Sequence, residues 1–259
     1  MKENSTLNIG KHQIKNRFFL GTGKFGSKEI MKKCIENAKI EVVTVSMRRV
    51  DVDETPDNIL SYIPKETIIM VNTSGARNAN EAVRIARLAR EASGVDWIKI
   101  EVINDSKYLL PDNVETLKAV KTLSEEGFVV LPYMNPDLYF AREMESAGAA
   151  AIMPLGSLIG SGEGLEAERF IKILIEEISV PIIVDAGIGV PSHAARAMEL
   201  GAGGVLANTA VANAKDPILA GLAFSNAVDA GRLAFVGGIE GFKGEAEASS
   251  PLTGFLFES

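Results

Sequence analysis

Asp96-Trp97-Ile98-Lys99-Ile100-Glu101-Val102-Ile103 has the short, apolar, β-branched character of a buried strand, yet it carries a lysine and a glutamate near its centre. Side chains alternate along a strand, so Trp97, Lys99 and Glu101 share one face, and Ile98, Ile100 and Val102 share the other. An ammonium and a carboxylate on a buried face are costly unless they are paired or in use. An edge strand with a wet polar face would also produce the pattern, as would a structural ion pair. Whether the strand is interior decides among these readings, and the rest of the chain decides that.

Seven further runs share its character, at residues 17–23, 42–48, 67–73, 128–134, 150–156, 181–187 and 203–209. Between them lie segments of helical periodicity, such as 76–92, with Ala79, Val83, Ala86 and Ala89 on one stripe, and 192–200. Residues 111–126 open with Pro-Asp and stop at Gly127, helix start and stop signals of the expected kinds. Eight strands alternating with helices call for parallel pairing, and eight is the number that closes a barrel. The predicted fold is therefore α/β, a single (β/α)8 TIM barrel, with an open doubly wound sheet as the competing layout. Nothing resembling a linker divides the chain. A single barrel domain over 1–259 is expected, with a polar lead-in over 1–16 and a mobile tail over 234–259. In a barrel, helices cover the outside and side chains fill the inside, so Lys99 and Glu101 have no wet edge to occupy. They must face the interior, toward the mouth where the strands end.

Composition narrows the function classes. The 259 residues carry a net charge of −7, which argues against a nucleic acid or an anionic membrane as the main partner. No apolar run approaches the length of a bilayer span, and the stretch from Met1 to Gln13 has no signal-peptide core. The one cysteine, Cys34, suits a reducing cytoplasm, and its apolar helical setting reads as packing.

Other polar residues fall at the mouth. Pro181-Ile182-Ile183-Val184-Asp185-Ala186-Gly187-Ile188-Gly189 is an apolar run ending in a carboxylate and glycines. Asp185 could cap a turn, although Pro191-Ser192 already offers the next helix its start. The last run ends Leu206-Ala207-Asn208-Thr209, and the sixth leads into Gly156-Ser157-Leu158-Ile159-Gly160-Ser161-Gly162-Glu163-Gly164. Loops in these places often hold phosphate in this fold, and glycines permit close approach of the backbone, although they could equally make a flexible turn. Gly21-Thr22-Gly23-Lys24-Phe25-Gly26 matches G-x-G-x-x-G but lacks an acidic residue at the end of the next strand, which reads Ser46-Met47-Arg48. It is taken as a tight first turn. Arg48-Arg49 is either a solvated pair or a contact for an anionic substrate. His12 and His193 are the only histidines, and no metal cluster or Ser-His-Asp set can be assembled from them. Elimination leaves lysine as the nucleophile. Burial is expected to lower its pKa toward the neutral amine, with Glu101 pulling the other way but able to exchange protons, and Asp185 supplying a second acid–base group. A lysine and two carboxylates above a phosphate site describe a Schiff-base enzyme acting on a phosphorylated ketose or aldose.

Several motifs together resemble bacterial thiazole synthase. They are Asn72-Thr73-Ser74-Gly75-Ala76-Arg77, Lys99-Ile100-Glu101-Val102-Ile103, Leu131-Pro132-Tyr133, Met153-Pro154-Leu155-Gly156-Ser157, Ile159-Gly160-Ser161-Gly162, Val184-Asp185-Ala186-Gly187-Ile188-Gly189, Asn208-Thr209-Ala210 and Ala248-Ser249-Ser250-Pro251. The likeness runs in order from about residue 17 to 251. It departs at Leu158, where the family usually has proline, and at Glu163, where glutamine is common. The resemblance implies that Lys99 forms an imine with 1-deoxy-D-xylulose 5-phosphate and that Glu101 and Asp185 are the acid–base residues. It further implies that Gly160, Ala186, Gly187, Asn208 and Thr209 bind the substrate, chiefly its phosphate. The implied partners are dehydroglycine and a sulfur-carrier protein ending in a thiocarboxylate, with no metal or other cofactor. The implied assembly is a homo-oligomer, tetramer or dimer. The loop after the sixth run and the C-terminal tail are candidate entrances for the carrier's tail. A Schiff-base aldolase acting on a sugar phosphate shares the lysine, carboxylates and phosphate loops, and a non-catalytic barrel would need none of them.

Overall fold

The computed structural model describes residues 6–47 and 58–239. Eight strands form one parallel sheet: β3 (Phe18–Gly21), β4 (Val42–Ser46), β5 (Ile68–Asn72), β6 (Trp97–Ile100), β7 (Val129–Met134), β8 (Met153–Pro154), β9 (Ile183–Val184) and β10 (Gly204–Ala207). Each pairs with its sequence neighbours, and β10 returns to β3 with Val205 beside Phe18. The circle closes between β8 and β9. There Ile152 bridges Ile182 and Leu155 bridges Asp185, and the Asp185 N–H donates to the Pro154 carbonyl at 3.0 Å. The barrel is thus the observed layout, and the open sheet is not.

Alternation along the strands builds the inside in layers. The floor takes one side chain from each strand, Phe19, Val42, Met70, Trp97, Leu131, Met153, Ile183 and Leu206, all buried in one cluster. A small hairpin, β1 (Leu7–Ile9) and β2 (His12–Ile14), seals it from below with Leu7, Ile9 and Ile14. These residues lie in the segment expected to be a polar lead-in. Its alternating Leu7 and Ile9 before Gly10, whose φ is +55°, mark a hairpin turn that a composition reading overlooks. The next inward positions up the strands supply Thr44, Asn72, Lys99, Tyr133, Asp185 and Asn208, which line the upper cavity.

Helices cover the outer faces. α2 (Ala79–Ser93) buries Ala79, Ala82, Val83, Ala86 and Ala89, the expected stripe, but starts at Asn78 rather than at residue 76. The Asn78 side chain accepts from the Glu81 N–H, the hydrogen bond that fixes a helix start. α3 (Asn113–Glu125) begins at the expected Asp112 cap, which accepts from the Glu115 N–H. α1 (Lys28–Asn37), α4 (Leu138–Ser146), α5 (Glu168–Glu177), α6 (Pro191–Glu199), the short α7 (Thr209–Ala212) and α8 (Pro217–Val236) complete the set.

α8 corrects one expectation. By length and composition it could cross a bilayer, although no run in the sequence stood out as a span. In the fold it packs as a barrel helix instead, with Gly221, Phe224, Ser225, Val228 and Gly231 buried. A Cβ on Gly231 would collide with the Ala195 carbonyl oxygen, so the backbones of α8 and α6 approach closely there. α8 also extends past residue 234, where the tail was expected to begin. The tail from 240 onward, with Ala248-Ser249-Ser250-Pro251, and Arg48-Arg49 lie outside the described residues.

Candidate active site

Lys99 stands near the end of β6, and its side chain is 8% exposed. Its Nζ lies 2.8 Å from Glu101 Oε1 and 2.5 Å from Asp185 Oδ2. The paired charges come from β6 and β9, three strands apart around the barrel, whose inward faces bring them together. Glu101 is held by its backbone. The Thr73 hydroxyl, fully buried, accepts from the Glu101 N–H at 2.8 Å and donates to the Glu101 carbonyl at 2.9 Å. Asp185 is held by β8, which receives its N–H, and by the Gly156 N–H, which donates to its carbonyl at 2.8 Å. Asp185 caps no helix, because α6 starts at Pro191 after Val190 with no side-chain cap.

The electrostatics correct a second expectation. Burial taken alone would lower the Lys99 pKa, but the charges of Asp185 and then Glu101, with their hydrogen bonds, outweigh it. The amine is therefore held above its ordinary value, and the resting group is an ammonium between two carboxylates. A nucleophilic amine arises only when one carboxylate takes the proton, and both sit within direct transfer distance.

A cavity of about 730 Å³ opens above these groups. Gly160, Ala186, Gly187, Asn208 and Thr209 all line it, so the structure brings the whole expected binding set to one mouth. The loops after β8 and β9 interlock on glycines. Gly187 has φ +74°, and a Cβ there would lie 1.8 Å from Ser157 Oγ; a Cβ on Gly189 would lie 2.5 Å from the Gly162 carbonyl oxygen. Ala186 also adopts φ +63°, a conformation unfavourable to any residue with a Cβ and concentrated at functional sites. Asn208 has a structural duty. Oriented with its amide nitrogen toward the first turn, it donates to the carbonyls of Gly23 at 2.6 Å and Gly21 at 3.0 Å. A Cβ on Gly21 would fall 2.4 Å from that of Asn208, and one on Gly23 2.9 Å from its side-chain nitrogen, which explains the first two glycines of the G-x-G-x-x-G string without a dinucleotide.

Two lining residues were absent from the expected site. Lys24 was read as part of a tight turn. Its φ is +67°, its Nζ donates to Thr209 Oγ1 at 3.2 Å, and Lys24 and Lys99 are the only basic residues lining the cavity among the described ones. No sequence signal separates Lys24 from an ordinary turn lysine. Tyr133 lies beside Lys99, with Nζ 5.1 Å from its ring centroid. Cys34 is remote from this mouth. It is buried in α1, its Sγ lies 3.3 Å from the Pro217 carbonyl, and burial together with Asp216 pushes its thiol up to about 11. His193 is at the start of α6, where its Nδ1 accepts from the Gly189 N–H at 3.3 Å.

Comparison with known proteins bears on this site. The family described as "Thiazole biosynthesis protein ThiG" matches residues 8–251. A protein of Alkaliphilus metalliredigens named "Thiazole synthase" is 61% identical over 97% of this chain and 98% of its own length. Others of the same name, from Acetivibrio thermocellus and Moorella thermoacetica, are 58% and 57% identical over 96% of this chain and 98% of their own lengths. Among solved structures, the Amycolatopsis orientalis BexX/CysO complex is similar, with a TM-score of 0.82 and 32% identity, covering 93% of this chain and 98% of that one. Mandelate oxidase, at 15% identity and a TM-score of 0.64, shares the fold alone.

Proposed function

Because this chain belongs to the thiazole biosynthesis protein ThiG family and is a thiazole synthase, we propose that it builds the thiazole phosphate carboxylate of thiamine through an imine on Lys99. The observation that carries the reading is the Lys99 ammonium held between Asp185 and Glu101 inside a barrel mouth. One carboxylate takes the Lys99 proton, and the neutral amine adds to C2 of 1-deoxy-D-xylulose 5-phosphate. Loss of water gives the imine. Proton exchange through the carboxylates then moves the carbonyl from C2 to C3. The thiocarboxylate of a sulfur-carrier protein adds sulfur at C3, dehydroglycine condenses and its nitrogen displaces Lys99 from C2, the carrier leaves with a plain carboxylate end, and loss of water closes the ring. The carrier partner is supported by the BexX/CysO complex, whose fold this chain shares. A homo-oligomer working in the cytoplasm is part of the same proposal.

The phosphate occupies the rim formed by Gly160, Ala186–Gly187 and Thr209. Those groups are neutral, and the Lys24 ammonium supplies the positive charge beside them. Lys24→Gly removes that charge and the strained φ together. The expected result is a ketose-phosphate KM raised about 10- to 100-fold, the scale of a charge-assisted hydrogen bond, with thermal stability unchanged or slightly higher. Titration of KM and a melting curve check both halves.

The function itself is tested by reconstituting the chain with ketose phosphate, a dehydroglycine source and thiocarboxylated carrier bearing labelled sulfur. Label is expected in the thiazole and never on this chain. Cys34→Ser is expected to leave turnover within about twofold, since a buried thiol with a raised pKa is a poor nucleophile. Carrier lacking its thiocarboxylate end is expected to give no product. A persulfide on Cys34 that chases into product contradicts the carrier route, and carbon–carbon cleavage without sulfur uptake favours the aldolase reading.

A further inference from the structure

Tyr133 follows the Ile100–Pro132 pair on β7, on the inward face that holds Leu131 one layer below. It is 1% exposed and lines the cavity with Lys99 and Asp185. Its hydroxyl is buried and, among the described residues, has no hydrogen-bond partner. Buried tyrosine hydroxyls ordinarily find one, because an unpaired polar group in an apolar interior opposes folding. Phenylalanine would fill the same space without that cost. A hydroxyl kept here, at the wall of the cavity, is explained by a partner that arrives with the substrate.

The surroundings say what it can do. Burial first, then the charges of Asp185 and Glu101, raise its pKa, so it stays protonated and serves as a donor. Once Lys99 is part of an imine, one of the two carboxyl groups beside it offers only lone pairs, and the other carries the proton taken from Lys99, which it gives up later in the step. The substrate atom in need of a donor is the oxygen on C3. It becomes a carbonyl in the rearrangement and gains negative charge when sulfur adds.

We propose that Tyr133 is a catalytic residue that donates a hydrogen bond to the substrate's C3 oxygen and stabilises the alkoxide formed on sulfur addition. This deepens the Schiff-base reading above and rests on it. In that step the thiocarboxylate sulfur gives its electron pair to C3 and the carbon–oxygen π pair moves onto oxygen. The Tyr133 hydroxyl holds that oxygen. The alkoxide is then neutralised by the carboxylic acid that took the proton of Lys99. No outside oxidant or reductant is needed. Aligned donors aimed at developing charge act in this way in other active sites.

The test is Tyr133→Phe in the full chain, with three readouts. Turnover in the reconstituted system is expected to fall about 10²- to 10³-fold in kcat, the usual loss for one such donor, with KM for the ketose phosphate little changed. Borohydride trapping of the ketose phosphate on Lys99 is expected to stay within about twofold of wild type, and the melting temperature is expected to equal or exceed that of wild type. Turnover within twofold of wild type overturns the proposal. So does a melting temperature lower by several degrees together with loss of the adduct, which would make the hydroxyl structural. Failure of the Schiff-base reading has its own signature, no adduct on the wild-type chain, and that result overturns both.

Discussion

Lys99→Arg should leave no borohydride-trapped adduct and should lower thiazole formation by roughly four or more orders of magnitude, the scale on which loss of a covalent nucleophile acts. The guanidinium keeps the positive charge between Asp185 and Glu101, so the electrostatics of the mouth survive. It is effectively never neutral and cannot form the imine. Peptide mapping of the trapped wild-type protein checks the assignment, because the reduced sugar must appear on Lys99. An adduct on another lysine, or turnover in Lys99→Arg, removes Lys99 from the role. Lys99→Met separates charge from chemistry. It leaves two buried carboxylates without their cation and should lower stability by up to about 3 kcal/mol, readable in urea unfolding.

Asp185→Asn is expected to slow thiazole formation by about two to four orders of magnitude, the usual range for a missing general acid or base, while ketose-phosphate binding persists. The amide nearly preserves size, and the neighbouring Ala186–Gly187 turn keeps its shape. The pH dependence carries a sign. Asp185 is the larger of the two charges holding the Lys99 pKa up, so its removal lowers that pKa. Neutral amine then appears at lower pH, and the rise of imine formation with pH should move in the acid direction relative to wild type. Trapping yields measured across pH report that shift directly. Near-normal turnover would reduce Asp185 to a turn residue, and an unmoved pH profile would mean that Glu101 alone sets the Lys99 pKa.

Which residues face inward was legible from period alone. Trp97, Lys99 and Glu101 on one face, with Asp185 ending another apolar run, follow from alternation once eight strands are counted; the structure puts Lys99, Glu101 and Asp185 in one cavity and Trp97 in the floor beneath it. The phosphate loops were legible from their place after the strands; the motif resemblance added the particular substrate and five residues to bind it, all of which reach the same mouth. Lys24 and Tyr133 were not singled out. A turn lysine and a strand tyrosine are ordinary in sequence, and only the closing of β10 onto β3, and of β7 beside β6, brings them to the site. The hairpin under the floor was missed because three apolar residues in a polar segment are too few to weigh by composition.

What the amino-acid order determined by itself is local: the period of each strand, the start of α3 at Asp112, and a lysine and carboxylates placed where a buried strand tolerates none idle. What only the tertiary structure decided is the state of that lysine. From sequence, burial pulls the Lys99 pKa down and Glu101 pulls it up; in the barrel, Asp185 arrives from 86 residues further along the chain to within 2.5 Å, and with Glu101 it holds the proton in place. Desolvation is felt by one residue wherever it is buried, but a Coulomb interaction depends on distance, and that distance exists only after the chain has closed on itself.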